Sequence, residues 1–173
     1  ALALCKEYFA RPDEIAEFNT LKILDAMRKV KVSEAHFNTT SGYAYDDIGR
    51  NKIEELYAEV FKAEAALVRT QFVSGTHALA TVLFGILRPG DQLIYITGTP
   101  YDTMQTVIGY ATDSPSSLKE FGILYDEVPL KDGRVDFNVA KEKITTKTKM
   151  VVIQRSCGYM MRPSLSVDEI GEI

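Results

Sequence analysis

Hydrophobic residues recur at helical spacing in two segments of the N-terminal third of the chain. Between Pro12 and Val30 they return about every third residue, and Pro12 suits the first turn of a helix. Over residues 50–62 they fall at positions i, i+3, i+4, i+7 and i+8, which makes one apolar stripe. Residues 36–50 are rich in Gly, Ser, Thr, Asn and Asp, so the pattern predicts a loop between two helices.

Beyond residue 65, short apolar runs alternate with segments of helical pattern. The apolar runs predict strands at Ala66–Arg69, Leu93–Thr97, Ile123–Val128 and Met150–Gln154. Helices are predicted from Ser74 to about residue 87, at Tyr101–Gly109, from Asp136 to about residue 144, and after the capping box Ser166–Glu169. Tight turns are predicted at residues 88–91 and 131–134. This alternation predicts an α/β fold with a mostly parallel sheet that is covered on both faces.

Composition and charge exclude several classes of protein. The 173 residues, 46% of them hydrophobic and 25% charged, suit about one globular domain. A net charge of −4 without a dense basic block argues against nucleic-acid binding. The longest apolar runs fall short of the roughly 20 residues that a transmembrane helix needs, so we expect no membrane span.

The cysteines and histidines bear on compartment and on metal binding. The N-terminal residues do not have the pattern of a secretory signal, and Cys5 and Cys157 stand far apart, so we predict free thiols in the cytoplasm. His36 and His77 do not combine with them at zinc-like spacing, so no metal site is expected.

The segment Ser74–His77 is the most informative candidate for chemistry. It follows a predicted strand and opens a predicted helix, where the first backbone N–H groups are unpaired and the helix dipole favours an anion such as phosphate. Gly75 allows close approach to the backbone, and the Ser74 and Thr76 hydroxyls can add donors. The same residues also fit an ordinary helix N-cap, so both interpretations stay open. His77 is either a catalytic candidate or simply a polar residue of the first turn.

Three further segments have candidate side chains, each with an ordinary structural alternative. Gly98–Asp102 follows a predicted strand, where α/β proteins bind ligands, and its Tyr101 offers an aromatic face. Gln154–Tyr159 follows another strand and contains Arg155, which suits an anion. Ser41–Arg50 is dense in tyrosine, aspartate and arginine. The alternatives are a packed surface turn, a solvent-exposed arginine and a loop that caps the next helix.

The chain contains, in this order, the motifs SGYAYDDIGR, QFVSGTHALATVLFGILRPGDQL, ITGTPYDT and KTKMVVIQRSCGY. Taken together, they resemble those of the aluminium-resistance (methionine γ-lyase-like) family of pyridoxal 5'-phosphate (PLP) enzymes, and the resemblance covers nearly the whole chain. It implies a PLP-dependent transferase-like fold of type I, a three-layer sandwich around a mostly parallel sheet. Residues 1–50 would form the N-terminal helix and an active-site loop, and residues 51–173 the first part of the large PLP-binding domain.

The resemblance also implies roles for individual residues. Ser74, Gly75 and Thr76 match the turn that binds the cofactor phosphate, and Tyr101 matches the aromatic residue that stacks on the pyridine ring. In related lyases, a loop corresponding to the one that contains Tyr45 and Arg50 reaches the neighbouring subunit's site, although the related Tyr-x-Arg spacing is absent here. The remaining residues that the resemblance brings near cofactor or substrate are His77, Arg155 and Tyr159.

The implied activity is that of a carbon–sulfur lyase of the cystathionine β-lyase or methionine γ-lyase type. Its substrates would be sulfur-containing amino acids, and its subunits would form a homodimer or homotetramer with shared active sites. We expect the lysine that forms the Schiff base, an aspartate for the pyridine nitrogen and the small C-terminal domain beyond Ile173, so residues 1–173 contain no catalytic residue and alone should be inactive. The alternative is a catalytically incomplete fragment that serves as a binding or assembly module.

Overall fold

The computed structural model describes residues 2–40, 47–111 and 114–173. They form two compact units, Ala1–Phe72 and Val73–Ile173. The predicted loop residues 41–46, which include Tyr45, lie outside the described residues. The domain boundary predicted after residue 50 falls inside a helix of the first unit, and the assignment of residues 51–173 to a larger domain stays a prediction.

The first unit is helical. It contains α1 (Leu2–Lys29), a 3₁₀ helix (Glu34–Phe37) and α2 (Ile48–Phe61). Both predicted helices are present, but α1 begins at Leu2, so placing Pro12 in a first turn was wrong. The preceding residues include strong helix formers such as alanine and leucine, and they extend the helix although proline offers no N–H to it.

The strand predicted at Ala66–Arg69 is wrong, because this segment is irregular. Its polar groups bind a side chain of α2 instead of a neighbouring strand. The backbone N–H of Val68 donates to Glu54 Oε1 at 3.0 Å, and the Arg69 guanidinium pairs with the same carboxylate. The short apolar run Ala66–Arg69 has the pattern of a strand, but the N–H of Val68 is bound by a side-chain carboxylate and not by a neighbouring strand.

The N-terminus of α2 is fixed by Asp47, which is buried. Asp47 Oδ1 accepts the N–H of Arg50 at 2.9 Å, and Oδ2 accepts the Thr40 hydroxyl at 2.6 Å. These donors, the Thr40 hydroxyl foremost, lower the pKa of Asp47 because they stabilise the charged carboxylate. Gly49 is required beside it, since an added Cβ would overlap the carbonyl oxygen of His36.

The second unit is an α/β structure, as predicted. Along the chain its elements are α3 (Gly75–Ile86), β1 (Gln92–Tyr95), α4 (Asp102–Ile108), β2 (Leu124–Glu127), β3 (Leu130–Lys131), β4 (Arg134–Val135), α5 (Phe137–Lys143), β5 (Thr148–Val152) and α6 (Val167–Glu172). Strands β2, β1 and β5 form a parallel sheet in that order, and β3 and β4 form the hairpin around the predicted turn. The capping box at Ser166 and Glu169 is confirmed.

The central strand β1 separates two apolar clusters. Leu93 and Tyr95 point to one face, where they pack with residues of α3 and α4. Ile94 and Ile96 point to the other face, where they pack with Val128 and residues around α5. Both faces of β1 are therefore covered, whereas the flanking strands β2 and β5 are only partly buried. No described helix is long and apolar enough to cross a membrane.

We predict that Leu93→Ala lowers the free energy of unfolding by about 2–5 kcal/mol, because it opens a cavity at a fully buried position. Leu93→Met keeps the volume and should cost less than about 1.5 kcal/mol. Chemical denaturation of the full-length gene product measures both values. Equal losses for the two variants would contradict the assignment of Leu93 to a tightly packed core.

We predict that Asp47 stabilises the protein in a pH-dependent manner. Because its pKa is lowered in the folded state, its contribution is complete above its ordinary pKa and is lost as the pH falls through the folded value. Asp47→Asn keeps a helix-capping oxygen but not the charge. The difference in unfolding free energy between wild type and Asp47→Asn should therefore shrink below about pH 4. A difference that is independent of pH in acid would contradict this prediction.

Candidate functional site

The candidate site lies at the edge of the sheet where β1 and β5 end. Because the strands are parallel, the segments that follow them, residues 96–101 and 153–159, emerge at the same edge. The hydroxyl of Thr97, which is fully buried, accepts the N–H of Gln154 at 2.8 Å and joins the two segments. Two of the segments singled out in the sequence are thus neighbours in space.

The Ser74–His77 segment forms the N-terminus of α3, as predicted. Ser74 is the N-cap, and its hydroxyl oxygen accepts the N–H of His77 at 3.1 Å. The N–H groups of Gly75 and Thr76 belong to the first turn, where the helix offers no carbonyl partner. Apart from its chain neighbours and its own helix backbone, no described residue has an atom within 4 Å of the position that a Cβ on Gly75 would take. The first turn thus presents two backbone donors beside open space.

His77 lies in the same first turn, with an exposed side chain. Its Nδ1 accepts the N–H of Val73 at 3.5 Å, and its backbone carbonyl accepts the Thr81 hydroxyl at 2.8 Å. These contacts tie His77 to its own helix. The role of His77 toward a cofactor stays a prediction.

The N-terminus of α3 adjoins the start of α4. The hydroxyl of Thr76 donates to the hydroxyl of Thr103 at 3.2 Å. Thr103 stands two residues after Tyr101, the N-cap residue of α4. The predicted anion-binding turn and the predicted aromatic residue are therefore brought together, by a threonine that the sequence reasoning did not single out.

Tyr101 is held by the segment that follows β5. Its backbone N–H donates to Gln154 Oε1 at 3.1 Å, and its phenol oxygen is hydrogen-bonded to Ser156 Oγ. Gly158 lies against the ring edge, so that an added Cβ would overlap Cε1 of Tyr101. The ring also packs on the apolar cluster between the sheet and α4. Tyr101 is thus a half-buried aromatic side chain whose position is set from several sides.

A small open cleft of about 180 Å³ runs beside Tyr101. The residues around it come from the two strand-end segments and from α4; they include Thr99, Asp102, Gln105, Cys157, Tyr159 and Met160. The cleft places both predicted loops around one space, as expected for a ligand site at the carboxyl edge of a parallel sheet.

Arg155 and Tyr159 differ in their surroundings. Arg155 Nε donates to the carbonyl of Leu165 at 2.9 Å, so the side chain is tied to the segment before α6. Tyr159 is fully exposed at the mouth of the cleft. Neither residue contacts Tyr101 in any hydrogen bond of the described residues, so their predicted roles toward a cofactor or substrate stay predictions.

Arg162 is a residue that sequence reasoning missed. One nitrogen of its guanidinium, Nη2, donates to the carbonyls of Gln154 and Ser156 at 3.1 and 2.9 Å. Its other terminal nitrogen donates to the carbonyl of Pro163 at 3.0 Å. Arg162 therefore holds the backbone of the segment whose side chains hold Tyr101.

A carboxylate at the end of β2 fixes the loop before Tyr101. Glu127 accepts hydrogen bonds from the Thr99 hydroxyl at 3.0 Å and from the Tyr125 hydroxyl at 2.5 Å. Burial, together with this bond to a carboxylate, raises the pKa of Tyr125 strongly, so it stays protonated and acts as a donor. All three strands of the sheet thus contribute to the position of the loop.

Arg50 belongs to the first unit, near the N-terminus of α2. It lines an open cleft of about 440 Å³ together with Thr40, Asp47, Arg69 and Gln71. Its predicted partner in function, Tyr45, lies outside the described residues. Within the described residues, no three His, Cys, Asp or Glu side chains are grouped as metal ligands would be, and Cys5 and Cys157 are unpaired.

Fold and site define an α/β protein in which a helix N-terminus with unpaired backbone N–H groups adjoins the segment of a fixed aromatic ring. Comparison with known proteins then gives the family. The model of the methionine gamma-lyase family matches residues 1–173, so the chain belongs to this family.

Similar proteins, two of them with solved structures, support the same assignment. A crystal structure from Listeria monocytogenes, of a protein described as a candidate cystathionine beta-lyase involved in aluminium resistance, is 53% identical over 99% of the chain with a TM-score of 0.94. A carbon-sulfur lyase involved in aluminium resistance from Clostridium novyi is 44% identical over 99% of the chain with a TM-score of 0.91. The uncharacterized protein YnbB of Bacillus subtilis is 50% identical over 93% of the chain.

These relatives are longer than the chain. The chain covers 42% of the Listeria protein, 41% of the Clostridium novyi protein and 39% of YnbB. It therefore spans about two-fifths of the length of the relatives that it matches.

We predict that Gly158→Ala displaces Tyr101, because the added Cβ would overlap the ring and the backbone φ there is +58°. Gly133→Ala is the matched control, since Gly133 also has a positive φ, +76°, but its nearest neighbour is a Pro163 side-chain atom at 3.5 Å. The control should lower the unfolding free energy by about 1–2 kcal/mol, and Gly158→Ala by more. Equal losses in denaturation experiments would show that Gly158 serves only the backbone conformation.

Proposed function

We propose that the chain is part of a PLP-dependent carbon–sulfur lyase that acts on sulfur-containing amino acids. The observation that carries the proposal is the hydrogen bond between Thr76 and Thr103, which brings the open first turn of α3 next to the segment of Tyr101. A set of phosphate donors next to the segment of an aromatic ring suits the two ends of a phosphorylated pyridine. Membership of the methionine gamma-lyase family supports the same class of reaction.

The first turn of α3 fits the phosphate group. The N–H groups of Gly75 and Thr76 point out of the helix start, the helix dipole favours negative charge there, and no side-chain atom fills the space beside Gly75. The Ser74 hydroxyl accepts from His77 and so keeps its own proton free to donate. Either of the Thr76 and Thr103 hydroxyls can turn its proton toward the anion.

Tyr101 fits the ring. Its phenol oxygen is held by Ser156 and its backbone N–H by Gln154, so the ring cannot turn away when a flat partner stacks on it. Bound PLP would supply an electron sink that acidifies the Cα–H of an amino-acid substrate, after which a thiol leaves by β- or γ-elimination. The described residues bind and orient the cofactor in this proposal; they do not move the proton.

The complete enzyme in this proposal has fold type I, with the lysine base, the aspartate for the pyridine nitrogen and a small C-terminal domain in the polypeptide beyond residue 173. The greater length of the relatives supports this placement. We further propose a homodimer or homotetramer in the cytoplasm, in which Tyr45 and Arg50 serve the neighbouring subunit's site. Arg155 and Tyr159 would face the substrate side of the cleft.

We predict that the full-length gene product binds PLP, and that Thr76→Val and Tyr101→Ala each weaken binding about tenfold. The first variant removes a donor to a charged group, and the second removes the stacking face. Thr81→Val is the matched control: Thr81 stands further along α3, and within the described part of the chain its hydroxyl donates to the His77 carbonyl. Titration of PLP followed by absorbance measures all four affinities.

Release of thiol from cystathionine or methionine by the same preparation tests the reaction. No uptake of PLP by the wild type would contradict the cofactor assignment. Uptake that is equal in all variants would contradict the assignment of the site. A bound cofactor without thiol release from either substrate would favour the binding-module alternative.

A further inference from the structure

We infer that Arg162 is a positioning residue for the cofactor site: it fixes the ring of Tyr101 by holding the backbone of residues 154–156. The inference rests on the proposed role of Tyr101 in stacking on PLP. Arg162 itself has no hydrogen bond to Tyr101 among the described residues, so it acts through an intermediate segment.

Arg162 is bound to its segment in a specific geometry. Its Nη2 reaches the carbonyls of residues 154 and 156, which point to the same side because the segment is extended. The carbonyl between them, that of Arg155, is turned the other way and accepts the N–H of Leu165 at 3.0 Å. The consecutive carbonyls of residues 154–156 are thus all hydrogen-bonded, and two of them accept from the guanidinium of Arg162.

The same two residues that Arg162 holds by their carbonyls hold Tyr101 by their side chains. Gln154 accepts the N–H of Tyr101, and Ser156 is bonded to its phenol oxygen. A shift of this backbone would move both contacts together. Gly158, two residues after Ser156, lies against the ring edge, so that an added Cβ there would overlap the ring.

The hydrogen bonds of Arg162 favour a role in positioning the backbone of residues 154–156 over a role in stabilising the fold alone. Within the described residues its Nε is buried and has no hydrogen-bond partner. A buried donor without a partner is unfavourable, whereas bonds from a charged donor to carbonyls are among the stronger ones. The guanidinium is therefore oriented to reach the carbonyls of Gln154 and Ser156 at the expense of one of its own N–H groups.

Arg88 provides a matched control. Its guanidinium also binds backbone carbonyls, those of Phe84, Gly85 and Leu87, at 3.4, 3.1 and 2.8 Å. It stands before β1, however, at the opposite edge of the sheet from Tyr101. Arg88→Met and Arg162→Met therefore remove the same kind of contact from two places, only one of which adjoins the candidate site.

The experiment compares PLP affinity and thermal unfolding in the full-length gene product. We expect Arg162→Met to raise the Kd for PLP about tenfold and to change the visible circular dichroism of the bound cofactor, because the stacked ring is displaced. Arg88→Met should leave the Kd within about twofold, even if it lowers the Tm as much. Arg162→Lys, which keeps the charge and reaches one carbonyl, should recover part of the affinity.

A double-mutant cycle distinguishes action through Tyr101 from an independent effect. If Arg162 acts through Tyr101, then Arg162→Met adds less than about twofold to the Kd of Tyr101→Ala. Effects that multiply to about a hundredfold would overturn the inference. Should Arg162→Met fail to fold, Ser156→Ala removes the hydroxyl contact alone, and unchanged PLP binding in that variant would also overturn it.

PLP uptake by the wild type distinguishes failure of the proposed function from failure of the role inferred for Arg162. A wild type that takes up no PLP overturns the proposed function and the inference with it. A wild type whose PLP binding depends on Tyr101 but not on Arg162 or Ser156 overturns the inference alone.

Discussion

The hydrogen bond between the buried Thr97 hydroxyl and the N–H of Gln154 is the contact on which the candidate site depends. It continues the pairing of β1 with β5 past the ends of both strands, where backbone bonding alone would stop. The loop that contains Tyr101 and the segment that contains Ser156 are thereby kept in register. Without it, the two loops would still emerge at one edge of the sheet, but they would be joined only through the contacts of Tyr101 with Gln154 and Ser156 among the hydrogen bonds described above.

The bonding around this contact extends outward in layers. Tyr101 is fixed by Gln154 and Ser156, whose backbone is fixed by Arg162, while Glu127 fixes the loop before Tyr101 from the other neighbouring strand. Such nested support is what a binding site needs, because a ring that can move by an ångström loses much of its stacking energy. The α3 terminus needs less support, since backbone donors in a helix have a fixed direction.

The sequence predicted the α/β class, the helices of the second unit, its strands β1, β2 and β5, and the segments that follow β1 and β5; it predicted the turn between β3 and β4 but not these two short strands. These elements could be predicted because they depend on hydrophobic periodicity and on turn residues, both of which are visible among residues close together in the sequence. The failures have local causes too: Ala66–Arg69 was misassigned because its amide binds the Glu54 carboxylate, which no period reveals. Arg155 and Tyr159 were chosen by residue type, whereas Gln154, Ser156 and Gly158 are the residues that adjoin Tyr101. The alternation of an extended segment could have separated Gln154 and Ser156 from Arg155, but Gly158 lies in a turn with a φ of +58°, which this alternation does not reveal.

The order of the strands has a consequence for how the chain acquires its structure. The central strand β1 pairs with β5, and Gln92 and Thr148, which are bonded to each other, are 56 residues apart. During synthesis at roughly 5–20 residues per second, β1 must wait several seconds for β5, although its other partner, β2, is synthesised earlier. Sheet pairing of such sequence separation is slow to nucleate. The candidate site is therefore among the last features of this unit to form on the ribosome, and β1 is the segment most in need of protection from aggregation until then.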